Sequence, residues 1–229
     1  DALIIGAGPA GLMAADVLAQ AGRKVLITEA KPSVGRKFLM AGKSGLNLTK
    51  DEPFEAFLAA YAEAADQLAP MLAEFGPSEV SAWARDLGQE VFTGSSGRVF
   101  PRAMKASPLL RTWLRRLFAM NVEINTRWAW VAHNGGFVFD TPNGTQTLSP
   151  PVTILACGGA SWARRGSDGA WAGLLPNVPK ADFKPANMGF VVNWSSYMEP
   201  HFGVPIKSVR LTAGTDTTKG EFVISRDGV

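Results

Sequence analysis

The sequence contains one cysteine and two histidines in 229 residues. Cys157 has no partner with which to form a disulfide, and a single cysteine is typical of a reducing compartment, so we expect a cytoplasmic protein. His133 and His201 are isolated in the sequence, which argues against a metal site or a Ser/His/Asp catalytic arrangement. The chemistry of this chain therefore has to be sought in other residue types.

Long apolar runs and a strong net charge are also missing. The apolar opening is interrupted by Asp16 and Gln20, so we do not expect it to span a membrane. A formal net charge of +3 is too small by itself to indicate a nucleic-acid or membrane partner. Basic residues are nevertheless concentrated at 23–50 and 98–116, on either side of an acidic segment. This pattern would suit a polyanionic cofactor, or it could be ordinary solvated surface.

The first thirty residues predict a strand, a glycine turn, a helix and a second strand. Gly6, Gly8 and Gly11 stand in a GxGxxG spacing where an apolar strand gives way to a helical pattern, with Pro9 and Ala10 between them. In a dinucleotide-binding turn the first glycine allows the bend, the second lets the pyrophosphate approach, and the third allows close helix packing. The helix that follows would present its amides and its positive dipole end to the phosphates.

An acidic residue supports this interpretation. Glu29 ends the second predicted strand, 18 residues after Gly11, where a carboxylate accepts hydrogen bonds from an adenosine ribose. Since a carboxylate repels a 2′-phosphate, we expect FAD or NAD and not NADP at this position. An ordinary α/β protein with a glycine-rich turn, or an NAD-binding module without flavin, would also show these features.

The rest of the pattern predicts an α/β fold: a Rossmann-like FAD-binding domain with a small antiparallel meander, followed by the start of a second, β-rich domain. We place the first domain at 1–180 and the second at 181–229. A long glycine- and lysine-rich connection without regular structure is expected at 30–50, and Pro70 is expected to bend or divide a later helical stretch. A helix is expected from a Ser107 cap to Met120. The expected strands are 122–126, 128–133, 137–140, 145–148, 152–156, 189–192, 208–212 and 221–225.

The ends of the chain also carry expectations. It begins at Asp1 directly before a strand, and we expect a short leader to precede it in the complete protein. The second domain stops at Val229 directly after a strand and a turn, so we expect it to be truncated. We expect it to be an inserted domain on the substrate side.

Four motifs in order resemble one family. GAGPAGLMAA near the start, GRKFLMAGKSGLNLT at 35–49, GRVFP at 97–101 and LACGGAS at 155–161 are similar to the BaiN-type or aminoacetone-oxidase-like bacterial flavoproteins. These belong to the wider glutathione-reductase-like group with two dinucleotide-binding domains. The resemblance covers residues 2 to about 169. It implies a noncovalently bound FAD and a flavin-dependent oxidoreductase.

The resemblance also implies roles for individual residues. It places the three turn glycines under the pyrophosphate, Glu29 and Ala30 at the ribose, and Gly35, Arg36 and Lys37 along the adenosine and diphosphate. Residues 42–47 would approach the flavin ring, and the segment 166–169 would lie near it. The remaining expected cofactor contacts are Gly42, Lys43, Ser44, Asn47, Val122, Ala156, Cys157 and Gly158.

Physical arguments add alternatives for four of these positions. Lys43 beside the N1–C2=O edge of a flavin would stabilise the reduced ring, or it could be a solvent-facing lysine. Asn47 could bond a ring edge or cap a local turn. Val122 could lie against the adenine or in the core, and Cys157 is more typical of a small buried residue than of a redox thiol. Among the tryptophans, Trp162 is the candidate neighbour of the flavin or the substrate.

We therefore expect an FAD-dependent oxidoreductase in which the flavin and not a side chain carries hydride and electrons. It would act on an unidentified small molecule, and NADH or NADPH could supply electrons. We expect neither a membrane nor a nucleic-acid partner. Two alternatives remain: an RNA-modifying flavoprotein, since some relatives of this group act on tRNA, and a noncatalytic FAD-bound sensor or scaffold.

Overall fold

The computed structural model describes residues 1–42, 45–184 and 189–229. They form two compact units, Asp1–Ala181 and Asp182–Val229. The α-helices described in the first unit are α1 Pro9–Gln20, α2 Arg36–Ala41, α3 Phe54–Ala59, α4 Ala65–Glu74, α5 Pro77–Asp86 and α6 Ala106–Ala119. Its described strands are β1 Ala2–Ile5, β2 Val25–Glu29, β3 Thr49–Lys50, β4 Val91–Thr93, β5 Arg98–Pro101, β6 Glu123–Thr126, β7 Ala129–His133, β8 Phe137–Thr141, β9 Gly144–Leu148 and β10 Val152–Leu155.

A four-stranded parallel sheet forms the centre of the first unit. Its strand order is β10-β1-β2-β6, and β1 pairs with β2 and β10 in parallel register. All four residues of β1 are buried, as expected for a short apolar run in the middle of a parallel sheet. The predicted strand–turn–helix–strand unit and the Rossmann-like fold class are thus confirmed.

The two faces of this sheet are covered differently. Helices α1 and α6 pack on one face, where Ile4, Leu12 and Leu109 belong to one buried cluster. An antiparallel sheet of β7, β8 and β9 covers the other face, where Phe139 packs with Leu3. This is the small antiparallel meander that the sequence predicted, with Asn134-Gly135 and Asn143-Gly144, dipeptides typical of hairpin turns, at its two hairpins.

A buried carboxylate joins the helices of the first layer. Asp16 on α1 is 1% exposed and accepts hydrogen bonds from Trp113 Nε1 at 2.9 Å and Arg116 Nη2 at 2.5 Å, both from α6. Gln20 donates to its other oxygen at 2.8 Å. Arg116 also pairs with Asp86 on α5, so that one network connects three helices.

A smaller antiparallel sheet, β3-β5-β4, lies with helices α3, α4 and α5. A cavity of about 540 Å³ is lined by residues of these helices and strands, among them Phe54, Leu72 and Val99. Its lining includes none of the predicted cofactor contacts, so we do not assign it to the cofactor.

The structure corrects three predictions in this unit. The connection at 30–50 is not structureless, because α2 forms within it after a left-handed Gly35. The long helical stretch is divided at Ala62–Ala64, a 3₁₀ turn, and Pro70 lies inside α4. Helix α6 begins at Ala106 with Lys105 in the capping position and no side-chain cap, so its cap lies two residues before the predicted cap Ser107.

The second unit is a β-hairpin with short irregular segments. Strands β11 Pro205–Ala213 and β12 Asp216–Val223 pair in antiparallel register, and a 3₁₀ helix occupies Ser196–His201. The prediction of a strand at 189–192 is wrong. Of these four residues, all of which the structure describes, only Val191 pairs, in an isolated bridge with Gly228.

Across the described ranges, the structure contains no helix with the length and apolar character needed to cross a membrane. The same ranges hold no group of three or more His, Cys, Asp or Glu side chains that could bind a metal.

Candidate functional site

The four parallel strands end at one edge of the sheet, and the segments that follow them meet there. Ile5 is followed by the glycine turn, Glu29 by a loop to α2, Thr126 by the turn into the meander, and Leu155 by a glycine-rich loop. In open α/β sheets, ligands bind at the carboxyl ends of the strands, beside two neighbouring strands from which the chain continues in opposite directions. In this sheet the two strands are β1 and β10.

The glycine turn is tightly packed at two positions and open at the third. Gly6 has φ +108°, and a Cβ there would lie 2.4 Å from the backbone oxygen of Ala156. A Cβ on Gly11 would lie 1.9 Å from the backbone oxygen of Gly6. At Gly8 an added Cβ would meet no described protein atom within 4 Å. The described part of the protein therefore leaves free space above Gly8.

Helix α1 starts at this free space. Gly8 caps it with extended backbone, Pro9 occupies its first position, and Pro9 and Ala10 are exposed. Proline suits this position because the first amides of a helix have no partner within it. The remaining amides and the positive end of the helix dipole make the start of α1 favourable for an anion.

Glu29 is fixed by the backbone around it. Its Oε2 accepts a hydrogen bond from Ala7 N at 3.0 Å, and its Oε1 accepts one from Lys31 N at 2.8 Å. Ala30, between Glu29 and Lys31, is exposed. The carboxylate thus holds the glycine turn against the end of β2, and each oxygen retains lone-pair capacity for a further donor.

Helix α2 brings two cations to the same edge. Gly35 N donates to Ala7 O at 2.9 Å, and a Cβ on Gly35 would lie 2.7 Å from Leu110 Cδ2. Arg36 Nη1 donates to Ser33 Oγ at 3.1 Å, whereas its Nε is buried without a partner among the described residues. Lys37 Nζ contacts Ser161, with both its O and its Oγ at 3.4 Å.

The segment expected at the flavin ring is only partly described. Lys43 and Ser44 lie outside the described residues. Gly42 is buried, and a Cβ there would lie 2.6 Å from Ala106 Cβ, so close packing on α6 explains this glycine. Asn47 is exposed, and its side chain makes no hydrogen bond with the part of the chain that the structure describes.

The loop after β10 begins beside the glycine turn. Ala156 N donates to Ile5 O at 2.8 Å, and Cys157 Sγ lies 3.6 Å from the same oxygen. Gly158 has φ +76°, and a Cβ there would lie 2.7 Å from Ser167 Oγ. Burial, together with the charge of Glu29, raises the pKa of the Cys157 thiol to about 11. At neutral pH the thiol is therefore protonated and is a poor nucleophile.

Positive charge dominates the segments at this edge. Six cations lie on them, and none forms an ion pair with any residue in the described ranges. The cations are Lys31, Arg36, Lys37, Arg127, Arg164 and Arg165. These cations suit the phosphates of a ligand, and the carboxylate of Glu29, at the end of β2, suits the hydroxyls of a ribose.

The chain matches the HI0933-like protein Rossmann domain over residues 1–189. It belongs to this family. The HI0933-like proteins are FAD-binding flavoproteins with BaiN- and aminoacetone-oxidase-like members, so both the predicted family and the predicted FAD cofactor are confirmed.

Individual relatives are more distant or match shorter segments. Digeranylgeranylglycerophospholipid reductase of Methanosphaerula palustris is 31% identical over 186 residues, which are 78% of this chain and 42% of that protein. Ribosomal RNA dihydrouridine synthase of Escherichia coli is 47% identical over 49 residues, 21% of this chain and 12% of that protein. BexE, a structure studied for oxidation during BE-7585A biosynthesis, aligns with a TM-score of 0.49 at 17% identity over 99% of this chain and 44% of that one. The HI0933-like chain therefore spans less than half of the reductase it matches.

The residues of the HI0933-like domain fit FAD by a test that does not depend on this similarity. Gly6 and Gly11 are required by the protein's own packing, but nothing in the described protein requires a glycine at position 8. The buried Nε of Arg36 is a further donor, and no residue that the structure describes accepts its hydrogen bond. A diphosphate at the start of α1 would account for both observations.

One predicted residue does not lie with the others. Val122 directly precedes β6, so the parallel direction of β6 places it at the opposite edge of the sheet from the glycine turn. It is 3% exposed, and its amide donates to Leu117 O at 3.0 Å. The structure thus places Val122 in the core, the alternative that the sequence left open.

The carboxyl end of β6 brings in residues that the sequence did not indicate. Arg127 is left-handed, with φ +60°, and its amide donates to Lys31 O, while Trp128 N donates to Glu29 O at 3.0 Å. Ser167, by contrast, belongs to the segment 166–169 that the resemblance indicated; it is 4% exposed and donates to Gly159 O at 2.6 Å. Arg127 and Trp128 match no motif. Only their position directly after the predicted strand that ends at Thr126 could have drawn attention to them.

Proposed function

We propose that this chain is the FAD-binding part of a flavin-dependent oxidoreductase acting on a small molecule. The observation that carries the proposal is the space above Gly8, at the start of α1, which no described protein atom fills, with Glu29 beside it and cations that form no ion pair within the described ranges. FAD supplies the hydride and electron chemistry when it is bound. The side chains provide binding, orientation and charge.

Each group at the edge has a role in this proposal. The amides at the start of α1 hold the diphosphate, with Arg36 and Lys37 balancing its charge. Glu29 accepts hydrogen bonds from the ribose hydroxyls of the adenosine. Arg127 and Trp128, which bond to the backbone of Lys31 and Glu29, lie where the adenine would follow.

We assign the flavin ring to the side of α2 and the loop that follows it. Gly42, Lys43, Ser44 and Asn47 belong to this assignment, with Lys43 and Asn47 as residues that would tune the flavin. Ala156, Cys157 and Gly158 line the edge beside the glycine turn. The raised pKa of Cys157 supports a packing role for this thiol and not a redox role.

The division of the chain supports a matching division of labour. We propose that residues 1–180 bind the cofactor and that residues 181–229 begin a β-rich domain on the substrate side. The small number of cysteines supports a cytoplasmic location.

A visible absorption spectrum of the complete protein, purified without refolding, tests the proposal. We expect oxidised-flavin bands that bleach when NADH or NADPH is added. Flavin bands that neither nicotinamide bleaches would point to an oxidase reduced by its own substrate, or to a noncatalytic sensor. A colourless protein that does not take up FAD would refute the cofactor assignment and leave an NAD-binding module.

A second candidate, reduction of a base in RNA, rests on one specific observation. A segment of 49 residues is 47% identical to a ribosomal RNA dihydrouridine synthase. Arg98, Lys105, Arg111 and Arg115 are exposed and make no ion pair with the described residues, so they are available to phosphates.

The salt dependence of RNA binding separates this candidate from the first. Four phosphate contacts on a single strand predict that log K falls with log salt at a slope of about −3. The measurement uses a fluorescently labelled single-stranded RNA and the complete protein. A flat response to salt would remove RNA as the substrate.

A further inference from the structure

The loop that follows β10, residues 157–169, has a conformation fixed by its own hydrogen bonds. Ser167 Oγ donates to Gly159 O at 2.6 Å, and Arg165 N donates to Trp162 O at 2.7 Å. Just beyond the loop, Trp171 Nε1 donates to Gly158 O at 2.8 Å. These bonds hold both ends of the loop, so the path of its backbone is defined.

Trp162 is held in an unfavourable conformation in the middle of this loop. Its φ of 63° and ψ of 52° are left-handed, a region that is an outlier for a bulky residue. Its side chain is 60% exposed and makes no hydrogen bond or ring contact with the residues of the described ranges. Backbone strain of this kind is concentrated at ligand sites, where the function of the residue compensates for it.

The position of the loop relates Trp162 to the cofactor edge. Ser161, directly before it, contacts Lys37 of α2. Further along the loop, Gly166 packs against the side chain of Lys31, because a Cβ there would lie 3.0 Å from Lys31 Cγ. Trp162 is therefore the next residue after Ser161, which contacts Lys37, one of the two cations that we assign to the diphosphate.

The order of the strands indicates which part of FAD it faces. The sheet runs β6-β2-β1-β10, with the proposed adenosine at β2 and the diphosphate at β1. Continuing in the same direction leads to the end of β10 and its loop. The part of FAD that follows the diphosphate in this direction is the ribityl chain with the flavin ring.

We infer that the indole of Trp162 stacks on the isoalloxazine ring of FAD. This inference rests on the proposed function and adds a specific contact to it. An indole offers a flat apolar face to a flavin, and offset stacking of aromatic rings stabilises such a contact beyond the buried area alone. The left-handed backbone and the exposure of the side chain are both consistent with a ligand that covers the indole.

Fluorescence of the bound flavin tests this contact without requiring a substrate. An indole in contact with an excited flavin quenches it by donating an electron, which returns to the indole afterwards, so no net reaction occurs. In the complete protein loaded with FAD, Trp162→Phe should increase bound-flavin fluorescence several-fold while the FAD stoichiometry stays the same. Trp162→Ala should give the same increase with weaker FAD binding, because it also removes the stacking surface.

Trp83→Phe is the matched control, since Trp83 lies in the same unit, on α5, and its ring packs edge-on against Trp113 at 4.7 Å. It should leave flavin fluorescence unchanged. Fluorescence that is equally low in wild type and Trp162→Phe, at full FAD occupancy, would overturn the inference. So would loss of FAD from a folded Trp162→Phe protein, since phenylalanine retains a ring that can stack. A wild-type protein that binds no FAD would refute the proposed function first, before any variant is compared.

Discussion

Alanine at Gly8 should weaken FAD binding without destabilising the fold, whereas alanine at Gly11 should destabilise the fold itself. The two glycines belong to the same turn and differ in what surrounds them. A methyl group at Gly8 meets no described protein atom within 4 Å, and the backbone there, at φ −82° and ψ −178°, suits any residue. A methyl group at Gly11 lies 1.9 Å from the Gly6 oxygen and 3.2 Å from Ile4 Cγ2.

These distances set the magnitudes. Ordinary van der Waals contact begins near 3.4 Å, so Gly11→Ala has to push the start of α1 away from β1. Overpacking against backbone costs about 3 kcal/mol or more, a large part of the 5–15 kcal/mol that stabilises a typical domain. Gly8→Ala should leave stability unchanged or raise it by about 0.5 kcal/mol, because alanine restricts the unfolded chain.

Two assays on the complete protein separate the outcomes. Urea unfolding gives the midpoint and slope for each variant, and an FAD titration gives Kd. Gly8→Ala should raise the Kd for FAD by about tenfold or more, which corresponds to about 1.4 kcal/mol. Wild-type FAD affinity in Gly8→Ala would show that no phosphate approaches position 8. Wild-type stability in Gly11→Ala would contradict the packing argument for the turn.

Three other predictions concern buried and titrating groups. Asp16→Ala should lower the free energy of unfolding by about 3–5 kcal/mol, because Trp113 and Arg116 lose a buried partner; a loss below about 1 kcal/mol in urea unfolding would contradict this. Cys157 should be alkylated slowly at neutral pH, with the rate rising toward a midpoint near pH 11, since its pKa is raised to about 11; a midpoint at the ordinary thiol value would refute it. Because this pKa is raised above the ordinary thiol value of 9.0, the stabilisation from the neutral thiol should be lost between pH 9 and about 11. Glu29→Gln should move the alkylation midpoint to lower pH, because the charge of Glu29 contributes to the raised pKa, and an unchanged midpoint would exclude that coupling.

Much of the cofactor edge could be predicted because its signals are local. The spacing of Gly6, Gly8 and Gly11 and the position of Glu29 specify a turn and a strand end within thirty residues. The apolar run of β1 and the Asn-Gly turns of the meander are equally local. Packing distances then distinguish the roles of the three glycines, which the spacing alone treats alike.

What the sequence could not predict depends on contacts between distant segments. Helix α2 starts at a left-handed Gly35 whose amide bonds to Ala7, a contact that leaves no pattern at 30–50. Val122 was a reasonable candidate until the parallel direction of β6 placed it at the far edge of the sheet. Arg127 became a candidate for the same reason, since only the sheet brings its backbone to Lys31.

The two amide bonds accepted by Glu29 have a consequence for engineering nucleotide preference. The usual route to a 2′-phosphate replaces the ribose-binding acid with a small or basic residue. In this chain the replacement would also remove the acceptors for Ala7 N and Lys31 N, and so release the glycine turn from the end of β2. A redesigned site would need a new acceptor for each amide before any change in selectivity could be measured. The nucleotide preference that we propose for this edge would therefore be tied to its architecture, and one substitution at Glu29 would not exchange it.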